Sequence, residues 1–199
     1  MKRVLRDNRK GFTLIEVIVV AGIIAVLAGI LVPMIFGQID EAKKSRAQGD
    51  VKSIVTAIHA FRKDTGKWPT FSAGTFPCVA PANGGDATIA VMLNTAGQMP
   101  QITGANWGNT GDSMRMNMFL ETASACYPVP ASPTAPGWKG AYMSSFTEDP
   151  WGNAYLVNAQ DFESATNKVW AISAGPDGII QTDAIGGTLA GDDIGIIIK

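Results

Sequence analysis

From Val17 to Phe36 the chain carries no charge and is almost wholly Val, Ile, Leu, Ala, Gly, Met and Phe. At about 1.5 Å per residue, a helix over this run spans roughly 30 Å, which is the thickness of a bilayer's hydrocarbon core. Beyond Gly37 the pattern turns amphipathic. Val51, Ile54, Val55, Ile58 and Phe61 recur at helical spacing, while Lys43, Lys44, Arg46, Asp50, Lys52, Arg62 and Lys63 take the other faces. Gly66, shortly before Pro69, ends the pattern. The spacing predicts one helix from about Phe12 to about Thr65, apolar over 12–36 and amphipathic over 37–66. Pro33 removes one backbone donor inside it, so a kink or local melting is expected there. His59, the only histidine, has no partner constellation and reads as a surface or packing residue.

After a turn at Lys67-Trp68-Pro69-Thr70 the pattern dissolves. Residues 67–147 are rich in Gly, Pro, Ser, Thr, Asn and Ala, with Ala87–Leu93 and Ser113–Thr122 as possible short helices. This is long for an irregular stretch, and it is expected to pack on the head. Over 148–199 the order returns. Asp149-Pro150-Trp151-Gly152 reads as a turn into a strand at Ala154–Val157. Lys168–Ser173 reads as a second strand and Gly195–Ile198 as a third. A long helix followed by short strands predicts an α+β head, the amphipathic half of the helix laid across a small antiparallel sheet.

Charge sharpens the membrane reading. The net charge is −1, yet residues 1–11 hold Lys2, Arg3, Arg6, Arg9 and Lys10 against Asp7 alone. A basic segment before an apolar run keeps the N-terminus cytoplasmic, so the rest is expected to be exported. The acidic remainder and the lack of a basic stripe argue against nucleic acid as a partner. Cys78 and Cys126 fit an exported domain with one disulfide. That bridge would close a loop of about 48 residues and stabilise by about 4 kcal/mol in the chain-entropy model. Two unpaired buried thiols are the alternative.

Residues 1–36 admit three readings. A cleaved secretory signal needs a shorter apolar run and a small-residue cleavage site. A plain anchor leaves Glu16, at the head of the run, unexplained. Arg9-Lys10-Gly11-Phe12-Thr13-Leu14-Ile15-Glu16 resembles the prepilin cleavage and methylation motif of type IV pilins and pseudopilins. The resemblance implies that residues 1–11 are a leader, removed by a prepilin peptidase after Gly11, with methylation of Phe12. Glu16 would then pair with the α-amine of a neighbouring subunit, because a carboxylate among apolar helices must find a partner or a proton. The resemblance also implies an extensible stretch near Pro33.

The C-terminal residues narrow the family. Asp149–Gly152, Ser173-Ala174-Gly175-Pro176-Asp177-Gly178 and Gly191-Asp192-Asp193-Ile194 are similar to the major pseudopilin of type II secretion systems, the G subunit. That class binds calcium in the corresponding loop, and Asp177, Asp192 and Asp193 match its carboxylate positions. The stretch between Asp177 and Asp192 is longer here and contains Asp183, which would add a ligand or displace the site. A solvated acidic turn is the plain alternative. The implied function is a structural subunit of a periplasmic pseudopilus. It would be a single-pass inner-membrane protein with a periplasmic head, polymerising with itself alongside minor pseudopilins and an inner-membrane assembly platform. A major or minor subunit of a surface type IV pilus is the runner-up. The chain has no Gly-x-Ser-x-Gly elbow, no P-loop and no histidine cluster, so a hydrolase is not expected. A tethered binding module built on the segment after Phe71 is the remaining alternative.

Overall fold

The computed structural model describes residues 11–69, 92–108, 114–123, 127–144 and 147–199. The leader up to Lys10 and both cysteines of the expected disulfide lie outside those residues. The chain divides into two compact units, one ending at Ala42 and the other covering Lys43–Lys199.

Helix α1 runs from Leu14 to Thr65 and contains Pro33. The local melting expected at Pro33 is not seen. From Gly11 to Ala42 every residue is exposed. In the second unit the helix buries one stripe: Ala47, Val51, Ile54, Ile58, Phe61 and Thr65, alternating steps of three and four. The helix ends where the sequence indicates, with the Gly66 N–H donating to the Arg62 carbonyl at 2.8 Å.

Seven short strands follow: β1 Leu93–Asn94, β2 Gln101–Ile102, β3 Met114–Arg115, β4 Leu156–Val157, β5 Trp170–Ser173, β6 Ile179–Ile180 and β7 Ile194–Ile197. One sheet has the order β3-β1-β4-β5-β7, and β2 and β6 form a separate parallel pair. Each neighbouring pair among β1, β4, β5 and β7 is antiparallel, whereas β3 joins β1 in parallel. The predicted antiparallel sheet is therefore present, with a parallel strand on one edge.

Period two sorts the sheet's side chains between two cores. Tyr155, Val157, Val169 and Ala171 join the stripe of α1, together with Phe119, Leu120, Tyr127 and Phe162. Ala154, Leu156, Trp170, Ile172 and Ala174 face the other way and pack with Met92 and Ile180, flanked by Met99, Ile102 and Trp107. Burial on both faces explains why all four residues of β5 are inaccessible.

The segment after the helix differs from the sequence expectation. Residues 87–91 of the helix expected at Ala87–Leu93 lie outside the described residues, and Leu93 is instead the start of β1, paired with Val157. Of the described part of the helix expected at 113–122, only Asn117–Leu120 (α2) is helical, and Met114–Arg115 form β3. Cross-strand partners far along the chain outweigh local helix preference at these positions. Trp68 does set the exit from α1. It is buried and stacks on Phe162 with ring centroids 4.5 Å apart, and its carbonyl accepts the Tyr127 hydroxyl at 2.8 Å. His59 stays exposed, its ring 6.0 Å from that of Trp68.

Candidate functional site

Two places carry the chemistry. At the head of α1, Thr13 and Glu16 cap the helix reciprocally. The Glu16 Oε2 atom accepts the Thr13 N–H at 2.9 Å and the Thr13 hydroxyl at 2.8 Å, while the Thr13 Oγ1 atom accepts the Glu16 N–H at 3.3 Å. This is a capping box at the first turn of an otherwise apolar helix. Gly11 and Phe12 lie just before it and are exposed. The acidic side chain is held at the helix head by its bonds to Thr13.

The second place is the acidic loop, which is built from Asp149 outward. Asp149 is buried; its Oδ1 atom accepts the N–H groups of Trp151 (3.0 Å) and Asn153 (2.8 Å), closing the turn read from sequence. Its Oδ2 atom accepts the Ser173 hydroxyl at 2.7 Å, and the Ser173 oxygen in turn accepts the Gly175 N–H at 3.2 Å. The turn before β4 thus fastens the first residues of the loop after β5. Gly175 has φ +67°, and a Cβ there would stand 2.4 Å from the Asp192 carbonyl oxygen. Only glycine lets residues 174–178 approach 191–193 this closely.

Asp177 and Asp192 meet: the Asp177 N–H donates to Asp192 Oδ2 at 3.2 Å. Asp177 also accepts the Ile179 N–H on Oδ1 (2.8 Å) and the Gln181 amide on Oδ2 (2.6 Å). Asp193 is buried, and its Oδ2 atom accepts the N–H of Gln181 (2.9 Å), the N–H of Thr182 (2.7 Å) and the Thr182 hydroxyl (2.6 Å). Desolvation raises its pKa, the Thr182 and Gln181 donors pull it down, and the neighbouring Asp192 charge adds to the rise. The other oxygen, Oδ1, is buried without a partner, as is Gln181 Oε1. Among the described residues no three His, Cys, Asp or Glu side chains stand close enough to hold a metal by themselves. Asp183 is turned away: its Oδ1 atom accepts Asn106 Nδ2 at 2.9 Å and the Ile185 N–H at 3.1 Å.

Sequence reading missed Gln181 and Thr182, and it missed the bond from Ser173 to Asp149; these roles follow from contacts across 11 to 24 residues. The inserted stretch is braced from the middle of the chain. Thr103 and Gly104 donate to the Ile180 carbonyl at 2.9 Å each, and Trp107 Nε1 donates to the Thr182 carbonyl at 2.8 Å.

Residues 6–32 match the family described as "Prokaryotic N-terminal methylation motif". The type II secretion system core protein G of Escherichia coli (strain K12) is 33% identical over 104 residues, covering 52% of this chain and 70% of that one. The protein of the same name from Pseudomonas aeruginosa is 32% identical over 104 residues, covering 52% and 72%. The one from Pectobacterium carotovorum is 33% identical over 177 residues, covering 88% and 81%. No solved structure matches. The methylation motif at the head of the apolar helix and an identity of one third over most of a relative's length agree: the chain belongs to the type II secretion system core protein G family.

Proposed function

We propose that this chain is the repeating subunit of a periplasmic pseudopilus that drives type II protein secretion. Its family is one of structural pseudopilin subunits rather than enzymes, and its N-terminal helix is long and apolar enough to cross a membrane. A prepilin peptidase cuts after Gly11 and methylates Phe12. The subunit waits in the inner membrane with its head in the periplasm, and the assembly platform then draws it into a filament capped by minor pseudopilins.

The observation that carries this reading is the bare helix. Among the described residues, twenty large apolar side chains are exposed, and eighteen of them lie between Phe12 and Ile39. At about 25 cal/mol per Å² of apolar surface, such a rod is not left in water. It needs lipid before assembly and copies of itself afterwards. Glu16 sets the register between copies by pairing with a neighbour's α-amine, a role better suited to specificity than to raw stability. Changing Glu16 to Val tests this in cells that carry the assembly machinery. Cleavage and membrane insertion persist, while filament yield collapses. Normal filament yield from that variant would refute the pairing.

The acidic loop takes a calcium ion in this reading. Support comes from its donor set: the Asp177 and Asp192 carboxylates, an unpartnered Asp193 oxygen and nearby backbone carbonyls are the hard oxygens that calcium prefers. The ion would neutralise carboxylates that otherwise repel, and it would order the loop. Removing calcium with EDTA lowers the head's melting temperature if the ion is structural; an unchanged midpoint rejects it.

A further inference from the structure

We propose that Gln181 is a ligand of the cation held by the acidic loop, adding a neutral amide oxygen to the aspartate set. The proposal rests on the calcium reading above. It starts from the orientation of the Gln181 side chain. Nε2 donates to Asp177 Oδ2 at 2.6 Å, and only the NH2 end of an amide can face a carboxylate oxygen at that distance. This fixes Oε1 on the other side, where it is buried and accepts no hydrogen bond. That side is Gly191: a Cβ there would stand 2.3 Å from Gln181 Oε1. The lack of a side chain at residue 191 is what admits the amide oxygen beside the Asp192-Asp193 pair.

The second unpartnered oxygen of the same loop is Asp193 Oδ1. Asp193 is only 7% exposed, and its other oxygen already receives three donors, one of them the Gln181 N–H. Gln181 therefore holds Asp177 through its side chain and Asp193 through its backbone, and presents an oxygen of its own. Buried acceptors without donors are unfavourable and rare. Two in one loop, beside two further carboxylates, is an arrangement that a hard divalent cation relieves. A neutral amide oxygen adds a donor to this set without adding negative charge. Calcium accepts side-chain amide oxygens alongside carboxylates.

The experiment uses the full-length protein in mild detergent, titrated with calcium chloride by calorimetry and followed in parallel by thermal melting. The wild type binds calcium and its midpoint rises. Gln181→Ala weakens calcium binding about 10- to 100-fold. Gln181→Glu keeps an oxygen in place, so it binds within about tenfold of wild type; its calcium-free midpoint falls, because a new carboxylate faces Asp177. Should Gln181→Ala not fold, Gln181→Asn withdraws the oxygen by one methylene, and the same loss of affinity is expected. If Gln181 is only a tether for Asp177, Gln181→Ala lowers the calcium-free midpoint and leaves the calcium Kd unchanged, which overturns the proposal alone. A wild-type protein that binds no calcium overturns both the proposal and the calcium reading beneath it.

Discussion

Replacing Asp149 by alanine removes the acceptor of two backbone N–H groups and one hydroxyl inside a turn where the side chain is 2% exposed. A hydrogen bond to a charged group contributes about 1.5–3 kcal/mol, and each buried donor left unpaired costs about 1–3 kcal/mol. These effects overlap, because the turn relaxes and water enters, so a net loss of about 3–5 kcal/mol is expected for Asp149→Ala. That is a large part of a stability of about 5–15 kcal/mol. Asp149→Asn keeps one oxygen for the Trp151 and Asn153 N–H groups and turns an NH2 toward Ser173 Oγ, so about 1–2 kcal/mol is lost. Urea unfolding of the detergent-solubilised protein, followed by tryptophan fluorescence, measures both through the shift in midpoint at constant slope. The more specific outcome is a double-mutant cycle. Asp149→Ala and Ser173→Ala share the 2.7 Å hydrogen bond, so they are coupled by about 1–3 kcal/mol. A cost below about 1 kcal/mol for Asp149→Ala, or purely additive costs in the cycle, would refute the argument that this carboxylate ties the turn to the loop.

Two further outcomes follow from the packing of α1. Phe61, fully buried with its ring centroid 4.7 Å from that of Tyr127 and 5.7 Å from that of Tyr142, anchors the helix in the core of the head. Phe61→Ala is expected to lose about 3–5 kcal/mol in the same urea assay, and a loss under about 1 kcal/mol would mean the helix is not held there. Tyr155 donates to Asp50 Oδ2 at 2.8 Å, and burial first, then the Asp50 carboxylate, pushes its pKa up. A raised pKa means that this contribution is whole below about pH 10 and is lost as the pH climbs further, by up to about 1.4 kcal/mol per unit. Stability curves above about pH 10 should be flatter for Tyr155→Phe than for wild type; parallel curves contradict the assignment. Tyr142, whose pKa burial also raises, accounts for part of the remaining slope.

The helix was legible because its signals are local and long. A charge-free run, a stripe repeating every three to four residues and a closing glycine each act within a few turns. Strands β4, β5 and β7 were legible for a similar reason, β5 having four residues set between turn signals, whereas the two-residue β6 was not. Residues 92–115 gave no such signal. Their strands are two residues long, below the length at which alternation can be read, and their partners lie far off, as with Leu93 and Val157 or Gln101 and Ile179. At the acidic loop the aspartates were legible through resemblance. Gln181 and Thr182 were not, because a glutamine amide acquires a role only from what the fold places against it. Asp183 shows the converse, being acidic and inside the loop yet committed to Asn106.

The parallel pairing of β2 with β6 also bears on how fast the head can form. Thr103 and Ile180 are joined across 77 residues, and Thr95 and Tyr155 across 60. Contacts so distant along the chain must be found by diffusion before they stabilise anything, and domains dominated by them fold in milliseconds to seconds rather than microseconds. Until that search ends, strand edges stand open; under the proposed function, a subunit held in the membrane would have that interval to complete its head before polymerisation begins.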